Sequence, residues 1–248
     1  MSKVILVTGS AKGIGASCIK KFALEGYNVI IHYLKSEKRA NELENWVKEN
    51  TSSKVLTVQC DITKEEEIQN MIQKIVEKFD HIDVLVNNAA LEITTEFQNK
   101  TKQDFLNTLD TNLVGTFLVS KYVSKFMLEN KKGNIVNITS NNAINQYDPS
   151  TLEYDASKAG IISLTHNLAV EFAPYINVNA VAPGWVMTEK VKELNDSLDG
   201  MLEQEESKKI LIHRFTYPEE VANLVYFLTT DEAKSINNQV ITIDGGTR

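Results

Sequence analysis

Apolar residues along this chain follow two alternating rhythms. Short, nearly continuous β-branched runs occur at VILVTG (4–9), NVIIHY (28–33), KVLTVQC (54–60), IDVLVNN (82–88), GNIVNITS (133–140), INVNAVAP (176–183) and QVITID (239–244). Each reads as a strand with both faces buried. Between the third and fourth runs Ile68, Met71, Ile72, Ile75 and Phe79 fall on one stripe of an amphipathic helix. Strands separated by helices predict a doubly wound parallel α/β sheet, the Rossmann type, with helices on both faces.

No repeat, low-complexity tract or Pro/Gly/Ser-rich linker interrupts the pattern, so residues 1–248 are expected to form a single domain. One stretch differs. Residues 188–213, TEKVKELNDSLDGMLEQEESKKILIH, are strongly charged and weakly periodic in their first half. They read either as a solvated surface excursion or as a mobile flap, and their place after a strand's carboxyl end, where open α/β sheets bind ligands, makes the flap worth testing.

Composition removes several function classes. The net charge of −7 opposes a general attraction to nucleic acid or anionic membranes. No segment has the ~18 consecutive apolar residues of a membrane span, and the N-terminus enters a strand without a signal-peptide pattern, so a cytoplasmic protein is expected. Cys18 and Cys60 read as core thiols in a reducing compartment. His32, His81, His166 and His213 are scattered without metal-ligand spacing, and no metal site is expected. The absence of G-x-S-x-G removes a nucleophile-elbow hydrolase.

The chemistry is concentrated in a few short stretches. VTGSAKGIG follows the first strand and opens a helix, placing Gly9, Gly13 and Gly15 where backbone can approach a pyrophosphate. Lys12 precedes its glycine and no G-K-[ST] occurs, which rules out a Walker loop. In YDASKAG, Tyr154 and Lys158 lie four apart and share one helical face. CDIT (60–63), NNAA (87–90), DTNLVGTF (110–117) and PGWVMT (183–188) complete the series.

Taken in this order over essentially the whole chain, these stretches closely resemble the short-chain dehydrogenase/reductase family, and within it the 3-oxoacyl-acyl-carrier-protein reductases. The resemblance implies a catalytic tetrad of Asn112, Ser140, Tyr154 and Lys158, with Thr139 the alternative to Ser140 because the following loop is about one residue longer than the family pattern. It implies cofactor contacts from Gly9, Ser10, Lys12, Gly13, Ile14 and Gly15 in the first loop, and from Asp61 and Ile62, with Asp61 at adenine. Further contacts are implied for Asn88 and Ala89, for Tyr154 and Lys158, and for Pro183, Gly184, Val186 and Thr188, with Thr188 at the nicotinamide carboxamide. Ala90 stands where the family usually has glycine.

Simple chemistry explains the tetrad. Ketone reduction needs a hydride at carbon and a proton at oxygen, and a free phenol, with a pKa near ~10, gives up its proton reluctantly at neutral pH. A nearby ammonium is expected to lower that pKa. Lys158 would do this while reaching the nicotinamide ribose, Ser140 would hold the substrate oxygen, and Asn112 would support a water chain.

At the end of the second strand the chain has Tyr33 and no carboxylate until Glu37. Lys12 and Lys35 supply ammonium groups for a 2′-phosphate, so NADP(H) is expected in preference to NAD(H). A carbonyl substrate, small or linked to acyl carrier protein, follows, with Lys131 and Lys132 as candidate contacts for an acidic carrier. The alternatives are a sugar, steroid or other small-alcohol dehydrogenase and, more remotely, a non-catalytic nucleotide-sensing protein. The apolar EVANLVYFL and AGIISLTHNLAVEF segments predict a homo-oligomer, a tetramer by resemblance.

Overall fold

All seven apolar runs become strands of one sheet: β1 (Val4–Val7), β2 (Asn28–Tyr33), β3 (Val55–Gln59), β4 (Val84–Asn87), β5 (Gly133–Ile138), β6 (Ile176–Pro183) and β7 (Val240–Ile243). Every pairing is parallel, in the order β3-β2-β1-β4-β5-β6-β7. The computed structural model describes residues 2–247. Its helices are α1 (Gly13–Leu24), α2 (Glu37–Asn50), α3 (Glu65–Phe79), α4 (Lys102–Leu109), α5 (Gly115–Glu129), α6 (Leu152–Glu171), α7 (Glu189–Ser197), α8 (Met201–Glu206) and α9 (Pro218–Phe227).

Strand alternation divides the core into two layers. Ile5, Val7, Val29 and Ile31 face one side with Cys18, Ile19 and Phe22 of α1 and Val221 and Val225 of α9. Val4, Leu6, Ile30 and Leu85 face the other, under the α3 stripe and Val119, Val123 and Met127 of α5. All five residues of the α3 stripe are buried. Cys18 and Cys60 belong to opposite layers, and burial pushes both thiols up to about 12. They are inert core groups.

From β1 the chain winds outward through β2 and β3, then returns to lay β4 on the other side of β1. The carboxyl ends of β1 and β4 therefore flank the crevice where such sheets bind ligands. This directionality corrects one expectation. Lys131 and Lys132 follow α5 and precede β5, so they lie at the amino end of a strand whose carboxyl end leads to Ser140. Lys131 instead places its ammonium 5.9 Å from the Tyr175 ring centroid. Neither lysine is near the site formed at the opposite edge of the sheet.

His32 ties three strand ends together. Its Nδ1 accepts from the Gly9 N–H at 2.8 Å, so Nε2 carries the proton and donates to the Cys60 carbonyl at 2.9 Å. Burial holds the ring's pKa at about 4, below its ordinary 6.5, with the Cys60 carbonyl and Asp61 opposing. Between those two values the unfolded chain takes up a proton that the folded protein excludes. Stability should therefore fall as pH drops from about 6.5 to about 4, by up to about 3 kcal/mol, and level off below. Urea unfolding of His32→Gln across this window should show a flatter acid limb; an unchanged slope would assign it to other groups.

Candidate active site

Three elements bring the candidate tetrad to the carboxyl edge of the sheet. Ser140 lies just past β5, and Tyr154 and Lys158 share one face of α6. Asn112 sits in a single π-helical turn, Asp110–Val114, between α4 and α5. The Ser140 hydroxyl lines one cavity with the Tyr154 phenol and favours its ionised form, and the Ser140 Oγ accepts from the Asn142 N–H at 3.2 Å. Thr139 is turned away: its hydroxyl is buried and donates to the Lys158 carbonyl at 2.8 Å. That geometry leaves Ser140 alone to face the phenol.

Lys158 is fully buried, with its ammonium donating to the Ile138 carbonyl at 2.7 Å and lying 5.4 Å from the Tyr154 ring centroid. Desolvation disfavours the charged form of each group. It pushes the Tyr154 phenol above its ordinary range, Glu92 and Asp155 add to the rise, and only Ser140 opposes it. It also brings Lys158 down to about 8, with Glu92 opposing. The expected lowering of the phenol by its lysine is thus absent: burial dominates, and the ammonium is engaged at the Ile138 carbonyl.

Asn112 departs from expectation too. Its Oδ1 accepts from the Leu91 N–H at 2.7 Å, while its Nδ2 donates to the Leu91 carbonyl and to Ser157 Oγ, both at 2.9 Å. The side chain clamps the loop after β4 and has little capacity left for a water chain.

A cavity of about 450 Å³ opens in front of the tetrad, and Ile14, Pro183, Gly184, Val186 and Thr188 line it beside Ser140 and Tyr154. The glycine loop passes close behind. Gly9 has φ +63°, and a Cβ there would stand 2.8 Å from Ala89 Cα; a Cβ on Gly15 would meet Asn88 Nδ2 at 2.6 Å. Only glycine fits either position.

Several residues expected at the cofactor also support the loops around it. The Ser10 hydroxyl is buried and accepts from the His32 N–H at 2.9 Å. Asn88 Nδ2 donates to the Thr8 carbonyl at 2.9 Å, and the Ala89 N–H donates to Thr8 Oγ1 at 3.0 Å. Ile62 is buried against Gly115. Asp61 accepts from the Thr63 N–H and hydroxyl at 3.0 and 2.8 Å. Thr188 caps α7 by accepting from Val191.

A second recess adds residues that the sequence did not single out. A recess of about 380 Å³ beside the start of α1 is lined by Lys12, Lys20, Arg39, Trp46 and Glu189. The helix that follows β2 brings Arg39 to it beside Lys12. Nothing in the sequence singled out Arg39 beyond its place in the first turn of α2. Glu189 is equally unforeseen: its carboxylate accepts from the Gly13 N–H at 3.1 Å, so an anion already occupies the amino end of α1. A phosphate-bearing dinucleotide fits this combination of glycine backbone, helix end and basic side chains.

Comparison with known proteins agrees with this geometry. A family model described as enoyl-(acyl carrier protein) reductase matches residues 9–248. The 3-oxoacyl-[acyl-carrier-protein] reductase FabG of Staphylococcus epidermidis is 38% identical over 248 residues, 99% of each chain. The chain belongs to the short-chain dehydrogenase/reductase family. Another relative, the 3-oxoacyl-[acyl-carrier-protein] reductase of a Synechocystis species, is 36% identical over 247 residues, 99% of this chain and 96% of that one. Among solved structures of this short-chain dehydrogenase/reductase fold, ElxO with NADP bound superposes with a TM-score of 0.90 at 35% identity, covering 99% of this chain and 98% of that one. A short chain dehydrogenase from Bacillus anthracis gives 0.86 at 33%, covering 98% and 95%. As a member of the family, the protein is a nicotinamide-dependent oxidoreductase acting on CH–OH groups.

Proposed function

We propose that this protein reduces ketones to secondary alcohols with NADPH, and that Ser140, Tyr154 and Lys158 carry the chemistry. The observation that carries the reading is the meeting of Ser140 and Tyr154 at one cavity with Lys158 buried behind it. Bound along the glycine loop, NADPH supplies the hydride. Ser140 donates a hydrogen bond to the substrate oxygen and fixes the carbonyl beside Tyr154. The Tyr154 phenol, held protonated at neutral pH by its raised pKa, donates its proton to that oxygen as negative charge develops. Lys158, opposite in charge to the phenolate left behind, stabilises it. Asn112 acts through Leu91, holding one wall of the cavity.

A 3-oxoacyl thioester on acyl carrier protein is the substrate that the relatives' names support. A free, polar carbonyl compound is the second reading, favoured by Glu92, Thr94, Asn142, Gln146 and Asp148 along the same cavity. Stopped-flow loss of NADPH absorbance with an acetoacetyl thioester and a panel of small ketones tests the reaction class. No turnover of any member by a protein that binds NADPH would remove it, leaving a nucleotide sensor.

Preference for NADP(H) rests on Lys12 and Arg39 and on the NADP in ElxO. Fluorescence titration should show NADPH binding at least about tenfold tighter than NADH, since a charge-assisted contact contributes about 1.5 to 3 kcal/mol. Lys12→Ala should weaken NADPH alone. Glu189→Ala should act in the opposite sense, tightening both cofactors by freeing the Gly13 N–H. Weaker binding in Glu189→Ala would make the carboxylate a support of the loop and not a competitor for its N–H.

The single domain spanning residues 1–248, its flap at 188–213 and a cytoplasmic location belong to the same reading; two buried free thiols suit a reducing compartment. So does a homo-oligomer, a tetramer in the first instance. Leu106, Val114 and Phe117 leave apolar surface exposed from α4 into α5, as do Val170 on α6 and Phe227 on α9. Sedimentation velocity at micromolar concentration should show an assembly; a monomer would remove this part.

A further inference from the structure

The loop after β4 presents Glu92 to the active-site cavity. Its backbone is held on both sides of that residue. Asn112 clamps the Leu91 N–H and carbonyl, and Lys100 donates to the Ile93 carbonyl at 3.2 Å. The Thr95 N–H donates to the Ser150 carbonyl at 3.0 Å. Lys100 is itself fixed, with its ammonium 2.7 Å from the buried carboxylate of Glu153. The backbone that carries this carboxylate is set in place before any ligand arrives.

Glu92 is also exchangeable in a way its neighbours are not. Asp148 accepts from the Ser150 N–H at 2.8 Å, and Asn142 Nδ2 donates to Asp155 at 3.0 Å. Glu92 pairs with Lys190 of α7 at 3.0 Å, where the two side chains are 39% and 70% exposed. An ion pair that open to water contributes little, so trading it for another donor costs little. Glu92 already acts electrostatically on both Tyr154 and Lys158 across the cavity.

We infer that Glu92 is a specificity-determining residue that accepts a hydrogen bond from a hydroxyl group near the substrate carbonyl, so that hydroxylated ketones are preferred to unsubstituted ones. This rests on the ketone-reductase reading and names the substrate class for that same cavity. An ionised carboxylate only accepts, so it recognises a donor on the substrate. Lys190 and Lys209 along the cavity oppose a cationic donor, and Glu92, Asp148 and Glu206 oppose an anionic substrate. A neutral donor is what remains, and a hydroxyl is the one a small ketone carries beside its carbonyl. A site built to bond a hydroxyl discriminates strongly against the analogue that lacks one, because its polar group is then left unpaired.

Hydroxyacetone and butanone are close in size and differ in that hydroxyl. With NADPH, the parent's ratio of kcat/KM values should favour hydroxyacetone, and Glu92→Leu should lower the ratio by about ten- to a hundredfold. Lys190→Met removes the ion pair while leaving the carboxylate, and should keep the ratio or raise it. An unmoved ratio in Glu92→Leu overturns the inference, as does an equal fall in both variants, which would make the pair a latch and nothing more. An acetoacetyl thioester measured alongside separates the two levels: if the parent reduces it and the ratio does not respond to Glu92, only the role of Glu92 falls. If the parent binds NADPH and reduces none of the three, the reductase reading fails first.

Discussion

Tyr154→Phe is expected to bind NADPH as the parent does and to lose about 10² to 10⁴ in turnover, the usual contribution of a positioned general acid. The substitution removes one hydroxyl and keeps the ring that packs beside Lys158. Burial raises the pKa of that phenol, so in the free protein it keeps its proton through the neutral range, which suits donation to a developing alkoxide. On the alkaline side the first of the pair to discharge is Lys158, at about 8. The kcat/KM for ketone reduction should therefore hold to about that pH and then decline. Lys158→Ala should behave differently from Tyr154→Phe, because it removes the charge facing the phenolate and empties a buried position; cofactor affinity and turnover should fall together. Parent-like turnover in Tyr154→Phe would make the phenol a structural residue of α6 and remove the proposed mechanism.

The second large effect lies beside the first in sequence. Lys100→Met should destabilise the protein by about 3 to 5 kcal/mol, because it leaves the Glu153 carboxylate buried without its partner. The pair is almost completely enclosed, with side chains 4% and 0% exposed, so solvent screening offers little relief. Removing both charges at once, in Lys100→Met with Glu153→Leu, should recover most of that loss, since a buried ion pair is often no better than apolar residues of similar volume. Urea denaturation of the four proteins in the cycle gives the comparison. If the single variant matches the double one, water reaches the pair and the carboxylate is not stranded. Because Glu153 precedes Tyr154 and Lys100 holds Ile93, the double variant also tests the cavity wall. It should raise KM more than it lowers kcat.

The strands, the α3 stripe and the glycine loop were legible from the chain because each depends on local spacing. A residue buried on both faces of a strand, or along one side of a helix, declares itself by periodicity, and Gly9 declares a backbone that no side chain can follow. Tyr154 and Lys158 were legible for the same reason, being one helical turn apart. What spacing left open was decided by direction and burial. Two adjacent hydroxyls at the end of β5 are equivalent in sequence, yet the strand turns Thr139 onto the Lys158 carbonyl and Ser140 toward the phenol. The sign of the tyrosine's shift depends on how completely α6 and the sheet exclude water, a property of the packed interior that the i, i+4 relation does not contain. Lys131 and Lys132 looked useful until parallel pairing placed them at the wrong end of β5, and Arg39, unmarked in the sequence, reaches the recess beside α1 because helix α2 turns it there. Glu92, Lys100, Glu153 and Glu189 come from three separate stretches and meet the site through contacts between residues far apart in sequence, as Lys100 does with Glu153 and Glu189 with Gly13. Such contacts leave no local pattern, because the partner of each charge is chosen by how the loops close over the carboxyl edge of the sheet.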